Sequence, residues 1–281
     1  MKKVLAMVLC SAMVASMLIG CGAKKEEVAE AATEAVEEAT EAVVEEAAEV
    51  EEAVEEVVEE VSDDVKGEGV MTHEEYIAAA LDSEVTVETY VQAKQSWWEN
   101  SATLYTQDKD GAYFIYNVAC DEADYDKLTP GTKIKVTGYK SEWSGEVEIV
   151  DGTFEIEEGD TFVADALDVT SLLGSDDLLA HQNEYVSFKD MTVEASKDAN
   201  GEEAAFLYNW DGSGSQGDDV YFNVSSNGNT YTFTIESYLT GSDTDVYKAA
   251  EALKVGDKVD LTGFLYWYEG VNPHITEITV K

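Results

Sequence analysis

The chain has 281 residues, and its 60 acidic residues outnumber 17 basic ones, giving a formal net charge of −43 at pH 7. All of the basic residues are lysines, and such an acidic surface stays soluble and repels phosphate backbones rather than collecting them. Beyond residue 21 the only cysteine is Cys120, which excludes an intramolecular disulfide from the body of the chain.

The N-terminus predicts export and attachment to a membrane. Two lysines precede an apolar run, Val4–Leu18, that is too short for a stable transmembrane helix. The following Leu18-Ile19-Gly20-Cys21 resembles the bacterial lipobox. This resemblance implies removal of residues 1–20 as a signal peptide and acylation of Cys21 with lipid chains such as palmitate. The alternative is an ordinary signal peptide. The predicted location is the extracytoplasmic face of the bacterial cell membrane, with the lipid as anchor.

Residues 21–65 form an acidic, low-complexity segment of Glu, Ala and Val. Valines recur every seven residues, a spacing that favours a coiled coil, at Val36, Val43, Val50 and Val57. Nearly every flanking position is glutamate, and like charges one helical turn apart destabilise a helix. Two interpretations therefore stay open, a solvated and partly helical spacer or a coiled coil.

The sequence of residues 66–160 predicts one short helix followed by one β-domain. Thr72 and Glu75 have the spacing of a capping box, which predicts a helix within residues 66–83. Alternating apolar residues then predict five strands, with a short helical or loop segment before the fourth. The predicted strands are Val85–Val91, Leu104–Gln107, Ala112–Ala119, Lys133–Tyr139 and Glu146–Val150, and the segment between them is Asp121–Lys127. This order is typical of the OB-fold, a five-stranded Greek-key barrel, predicted here for residues 84–160.

Part of this pattern is repeated near the C-terminus. Leu128–Gly145 and Leu253–Gly270 share Leu-x-x-Gly-x-Lys and then Thr-Gly-aromatic, at the same spacing and without a gap. The repeat predicts a second OB-fold domain at residues 182–281, joined to the first by a linker at residues 161–181. Its predicted elements are the strands Tyr185–Ala195, Ala204–Trp210 and Val220–Val224, an extra strand Thr230–Ser237, a helix Asp243–Leu253, and the strands Lys258–Tyr268 and His274–Val280.

The first domain also resembles a known group of proteins. The run Leu104–Asp108, the turn at Gly111, the aromatic third strand and the run Lys133–Gly138 resemble OB-fold modules of bacterial secreted proteins and extracellular nucleases. With the leader and the acidic spacer, the whole chain resembles clostridial-type surface lipoproteins. This resemblance implies the fold and the membrane anchor, and implies little chemistry.

The candidate ligand site follows from strand parity. OB-folds bind ligands on the outer face of strands two and three, with the loops 1–2 and 4–5 as walls. Alternation places two aromatic side chains of strand three and one of strand two on that face, and further rings lie in the two loops. The candidate ligand-binding residues are Tyr105, Gln107, Phe114, Tyr116, Trp97, Trp98, Trp143, Tyr266 and Tyr268. The alternative is that the linker, the N-terminal helix or the other barrel covers these rings.

The sequence indicates binding rather than catalysis. Asp108–Gly111 and Asp198–Gly201 are explained as turns, and the three histidines lack the spacing of zinc ligands. No catalytic constellation is present in the sequence, so we predict a non-enzyme without metal or cofactor. The shortage of cations disfavours nucleic acid as a partner.

Three functions therefore compete. The first is a surface-anchored module that binds a glycan, a peptide or a protein. The second is a structural or accessory lipoprotein of a membrane complex, and the third is binding of single-stranded nucleic acid.

Overall fold

The computed structural model describes residues 66–281, which are mainly β-structure arranged as two closed five-stranded barrels. The predicted signal peptide, the predicted lipidation site Cys21 and the acidic spacer lie outside these described residues. Across residues 66–281, none of the helices has the length and apolar character needed to cross a membrane.

Barrel one follows a short helix, α1 (His73–Ala78), that begins at the predicted capping box. The backbone N–H of Glu75 donates to Thr72 Oγ1 at 3.2 Å, and the N–H of Thr72 donates to the Glu75 carboxylate at 3.0 Å. The barrel elements are β1 (Glu84–Lys94), β2 (Ser101–Gln107), β3 (Ala112–Ala119), α2 (Glu122–Tyr125), β4 (Lys133–Trp143) and β5 (Glu146–Ile156). The strands are hydrogen-bonded in the closed order β1-β2-β3-β5-β4, with β3 and β5 parallel.

A linker of two 3₁₀ turns, Thr170–Leu172 and Asp176–His181, and the short strand β6 (Leu167–Asp168) lead to barrel two. The remaining elements are β7 (Tyr185–Glu194), β8 (Ser196–Lys197), β9 (Glu203–Ala204), β10 (Leu207–Tyr208), β11 (Val220–Ser226), β12 (Asn229–Ile235), α3 (Asp245–Glu251), β13 (Lys258–Phe264) and β14 (His274–Val280). The strands β7, β11, β12, β14 and β13 close in the same cyclic order as barrel one. The prediction of tandem OB-fold barrels is confirmed.

The assignment of strands in the second copy needs a correction. Strand two of the barrel is β11, strand three is β12, and α3 follows strand three as α2 does in barrel one. The predicted second strand Ala204–Trp210 belongs instead to an insertion in loop 1–2, where only Leu207 and Tyr208 pair with β11. The predicted extra strand at Thr230–Ser237 is therefore a regular member of the barrel. What barrel two adds is the long loop 1–2, between β7 and β11.

The repeated Thr-Gly pair lies at a bulge in both barrels. In barrel one the pairing of β4 with β5 shifts register between Thr137 and Tyr139, and in barrel two that of β13 with β14 shifts between Thr262 and Gly263. A Cβ on Gly263 would lie 2.2 Å from the carbonyl oxygen of His274. The glycine is therefore required because the neighbouring backbone approaches it too closely for any side chain.

The first barrel also holds α1 by a buried lysine. Nζ of Lys140 donates to the carbonyl oxygens of Tyr76, Ile77 and Ala79 at 3.0, 2.7 and 3.0 Å. These are the carbonyls at the end of the helix, where a cation is favoured by the free oxygens and by the helix dipole. Burial lowers the pKa of Lys140.

Candidate functional site, an aromatic cleft between the barrels

The two barrels pack through the predicted ligand face of barrel one. As parity predicts, Tyr105 and Phe114 point outward, but barrel two covers them and leaves them 1% and 3% exposed. The ring of Tyr105 stacks on Phe264 at 4.6 Å, and Phe114 meets Tyr266 edge-on at 5.3 Å between centroids. For these two rings the predicted alternative holds, because the other barrel covers them.

Polar groups surround this apolar contact. The Tyr105 hydroxyl and Nδ1 of His274 share a hydrogen bond of 2.6 Å. Gln107, another predicted ligand residue, instead accepts the backbone N–H of Tyr185 at 2.8 Å. Glu146 Oε2 accepts the backbone N–H of Trp267 at 2.8 Å. Burial raises the pKa of Glu146 well above its ordinary value, so this carboxyl is favoured in its neutral form.

Beside this contact lies an open cleft of about 1230 Å³ to which both barrels contribute. Its most exposed aromatic side chains are Trp98, Tyr116 and Trp143 from barrel one and Trp210, Tyr238 and Tyr268 from barrel two. Phe114 and Tyr266 also line the cleft, at the margin of the buried contact. The cleft is therefore a concave surface of rings with a buried apolar base.

The repeated hairpins meet at one end of the cleft. Trp143 and Tyr268 occupy equivalent positions in the two copies, and their ring centroids are 5.1 Å apart. The backbone N–H of Glu269 donates to the carbonyl oxygen of Ser144 at 2.7 Å, which ties the two hairpin tips together. Both of these turn residues have positive φ, as tight hairpins require.

Most of the predicted site residues come together here, and three do not. Trp98, Phe114, Tyr116, Trp143, Tyr266 and Tyr268 line the cleft. Tyr105 and Gln107 lie in the contact between barrels, and the indole of Trp97 donates to the carbonyl oxygen of Cys120 at 2.9 Å. Trp210 and Tyr238 were missed, since one lies in the inserted loop and the other follows the strand that was interpreted as extra.

The charged residues lining the cleft are all acidic. They are Glu148, Asp219, Glu236 and Glu269, with no lysine among the lining residues. Burial and the neighbouring Asp219 raise the pKa of Glu236 to about 7, and burial raises the pKa of Glu148. Burial lowers the pKa of His274 to about 3, so this imidazole is neutral. The polar lining also includes the amide side chains of Gln95, Asn117 and Asn272 and the hydroxyls of two serines and two threonines.

No family model matches this sequence, and no curated protein matches it either. Solved structures that are similar include a murine DNA-binding protein bound with double-stranded DNA, at 11% identity and a TM-score of 0.34, covering 70% of this chain and 96% of that one. The p202 HIN1 domain in complex with a 12-mer double-stranded DNA has 11% identity and a TM-score of 0.33, covering 72% and 95%. The Ifi202 HINa domain in complex with a 20-bp double-stranded DNA has 11% identity and a TM-score of 0.32, covering 72% and 98%.

These structures correct one sequence-based prediction. The acidic composition disfavours nucleic acid as a partner, yet solved structures similar to this chain include domains bound to double-stranded DNA. The prediction that nucleic acid is an unlikely partner is therefore wrong, and nucleic acid stays among the partners to be tested. The ligand of each of those proteins remains a property of that protein.

Proposed function

We propose that this protein is a non-catalytic, lipid-anchored surface protein that binds a glycan in the aromatic cleft. One observation carries the proposal. Of the seven aromatic side chains that are exposed across residues 66–281, six line this one cleft, and only Tyr139 lies elsewhere. Exposed rings gathered in one concavity mark a ligand site, because scattered exposed rings are the ordinary case.

The chemistry of the lining suits a sugar. A pyranose ring offers flat patches of C–H that pack on aromatic faces, and its hydroxyls need polar partners. Gln95, Asn117 and Asn272 supply both donors and acceptors, and the carboxylates supply further acceptors. Both barrels contribute rings to the lining, so that a chain of sugars can contact several of them at once.

The proposal is tested on a glycan array with the full chain and with ring variants. We expect Trp143→Ala and Tyr268→Ala each to weaken the binding of a glycan hit, by about 1–3 kcal/mol if a sugar face stacks as well as a base does. The matched control is Tyr139→Ala, which removes an exposed ring outside the cleft and should leave affinity unchanged. Equal binding by all three variants, or no glycan hit at all, would contradict the proposal.

A second candidate is single-stranded nucleic acid, because the same row of rings could stack bases. Salt dependence separates the two functions. Affinity for a polyanion falls steeply as salt rises, whereas affinity for a neutral glycan changes little. Titration of single-stranded DNA and of a neutral glycan hit at low and high salt, with Trp143→Ala alongside, decides between them.

The structural or accessory function keeps some support, since Tyr105 and Phe114 are buried by the second barrel. Burial of that face is what a purely structural pairing of barrels requires. The exposed rings next to it are not needed for such pairing, because they remain in solvent after the barrels have packed. For this reason we favour binding.

A further inference from the structure

Glu148 is a buried carboxylate that faces the cleft without a partner. It lies on β5 and is only 7% exposed, and it is among the residues lining the cleft. Within residues 66–281 its carboxylate oxygens make no hydrogen bond and no ion pair. Its neighbour Glu146, two residues earlier on β5, differs because its Oε2 accepts the backbone N–H of Trp267 and the side-chain amide of Gln182. Removing a carboxylate from water is costly unless a donor or a cation compensates.

Barrel two adds more carboxyl groups to the lining of the cleft. Glu236 accepts the backbone N–H of Leu239 at 2.7 Å, and Asp219 accepts that of Ser237 at 2.8 Å. Neither carboxylate has a lysine within ion-pair distance among the described residues. With Glu269, the lining carries four acidic side chains and no basic one. Both barrels therefore bring carboxyl groups without a counter-ion into the same cleft, and Glu236, with a pKa of about 7, is only partly ionised at neutral pH.

A positively charged group on the ligand would compensate this charge. An ammonium group donates up to three hydrogen bonds, and its bonds to carboxylates are roughly twice as strong as those between neutral groups. The aromatic faces around it add attraction for a cation. A neutral ligand offers hydroxyl donors, but it leaves the charges on Glu148 and Asp219 unbalanced in a partly desolvated site.

We infer that the cleft binds an amino sugar whose amine is free and protonated, with its ammonium group on Glu148. This inference rests on the proposed function and narrows its ligand class. A sugar fits better than a lysine side chain, because the rings of both barrels and the lining amides offer contacts that a lysine side chain cannot use.

The test compares two oligosaccharides that differ only at the amine. Isothermal titration of the full chain uses the hexasaccharide of N-acetylglucosamine and the same hexasaccharide with one amine left free, so that the two ligands differ by a single charge. We expect the free-amine form to have a dissociation constant that is lower by about tenfold or more. Glu148→Gln keeps the shape and removes the charge, so it should abolish this preference and leave binding of the N-acetylated form in place.

The matched control is Glu155→Gln, which neutralises an exposed glutamate of β5 that does not line the cleft. It should bind both sugars as the wild type does. Because the comparison of sugars is made first on the wild type, it stands even if Glu148→Gln fails to fold.

Each outcome decides something. Equal affinity for both sugars overturns the inference and leaves the glycan function standing. If neither sugar binds, both the inference and the proposed glycan function are overturned. Binding of tetralysine in the absence of sugar binding would show that the site takes an ammonium group from a peptide, and would also overturn the assignment to an amino sugar.

Discussion

Glu146 and Glu148 lie two residues apart on β5, on the same side of the strand, and have different surroundings. The first is enclosed in the contact between barrels, where a backbone N–H and an amide satisfy Oε2. The second opens onto the cleft. Sequence parity places both side chains on the outer face. It does not show which of them a second barrel covers, because that depends on contacts between residues far apart in the chain.

At the same scale, Glu236 should make stability depend on pH. Its pKa in the folded protein is about 7 against an ordinary value of 4.5, because burial and Asp219 disfavour the charged form. The folded state thus binds this proton more tightly than the unfolded state does. The stabilisation is full below about pH 4.5 and is lost as pH rises through about 7. One pKa unit corresponds to about 1.4 kcal/mol, so the loss is roughly 3 kcal/mol at most.

We expect Glu236→Gln to remove this loss. The free energy of unfolding of the variant, relative to the wild type, should therefore rise between about pH 4.5 and pH 8 in urea denaturation. His274 acts in the opposite direction, because its pKa is lowered to about 3 and its contribution is lost as the pH falls below about 6.5. That contribution is present in both proteins and cancels in the difference. A difference that does not change with pH would contradict the prediction.

At the scale of the element, the Thr-Gly strand is the feature that the two copies share. A Cβ on Gly263 would lie 2.2 Å from the His274 carbonyl oxygen and 2.7 Å from Ile275 Cα, both of them backbone atoms. A Cβ on Gly138 would lie less close to its neighbours, 2.7 Å from Ile149 Cγ2 and 2.9 Å from the backbone carbonyl oxygen of Val150. Alanine should therefore be worse tolerated in barrel two.

We expect Gly263→Ala to lower the free energy of unfolding by about 3 kcal/mol or more, and Gly138→Ala by about 1–3 kcal/mol, because overpacking forces the backbone to shift. The control is Gly152→Ala, where the nearest atoms would lie 3.5 Å away in ordinary contact. Urea denaturation of the three variants gives the order. If Gly263→Ala is as stable as Gly152→Ala, the close approach of β13 and β14 is not what requires the glycine.

Most elements could be predicted from the sequence, because alternation and turn residues are local signals. The capping box at Thr72 and the span Ala112–Ala119 agree with the structure. The strand prediction for the second copy was wrong where local signals mislead. Ala204–Trp210 has the residues of a strand, but turns on either side leave only Leu207 and Tyr208 to pair with β11. The pairings that close the barrel identify its strands correctly, but they join residues far apart in the sequence.

At the scale of the whole molecule, the cleft exists because two copies of one fold meet. Neither barrel alone contains it, since its rings come from both barrels. Strand parity and loop position identified rings of barrel one, and the register of the repeat identified Tyr266 and Tyr268. The meeting of Trp143 with Tyr268 could not be predicted, because nothing local in the sequence fixes how the barrels dock.

The docked barrels also explain why the ligand face is only partly covered. Tyr105 and Phe114 pack on barrel two, whereas Tyr116, two residues beyond Phe114 on β3, is 45% exposed in the cleft. The contact is thus confined to one part of the face, and its edge becomes the base of the cleft.

The last prediction concerns attachment of the whole chain to a membrane. If the sequence Leu18-Ile19-Gly20-Cys21 functions as a lipobox, acyl chains on Cys21 are the anchor. A formal charge of −43 offers no electrostatic attraction to anionic lipids that could replace the anchor. We expect the wild type in the membrane fraction, labelled by a palmitate analogue, and Cys21→Ala unlabelled and in the soluble fraction or medium. Cys120→Ala should behave as the wild type, because that thiol is buried inside barrel one. Cys21→Ala that stays with the membrane, or a wild type that takes up no label, would rule out the lipid anchor.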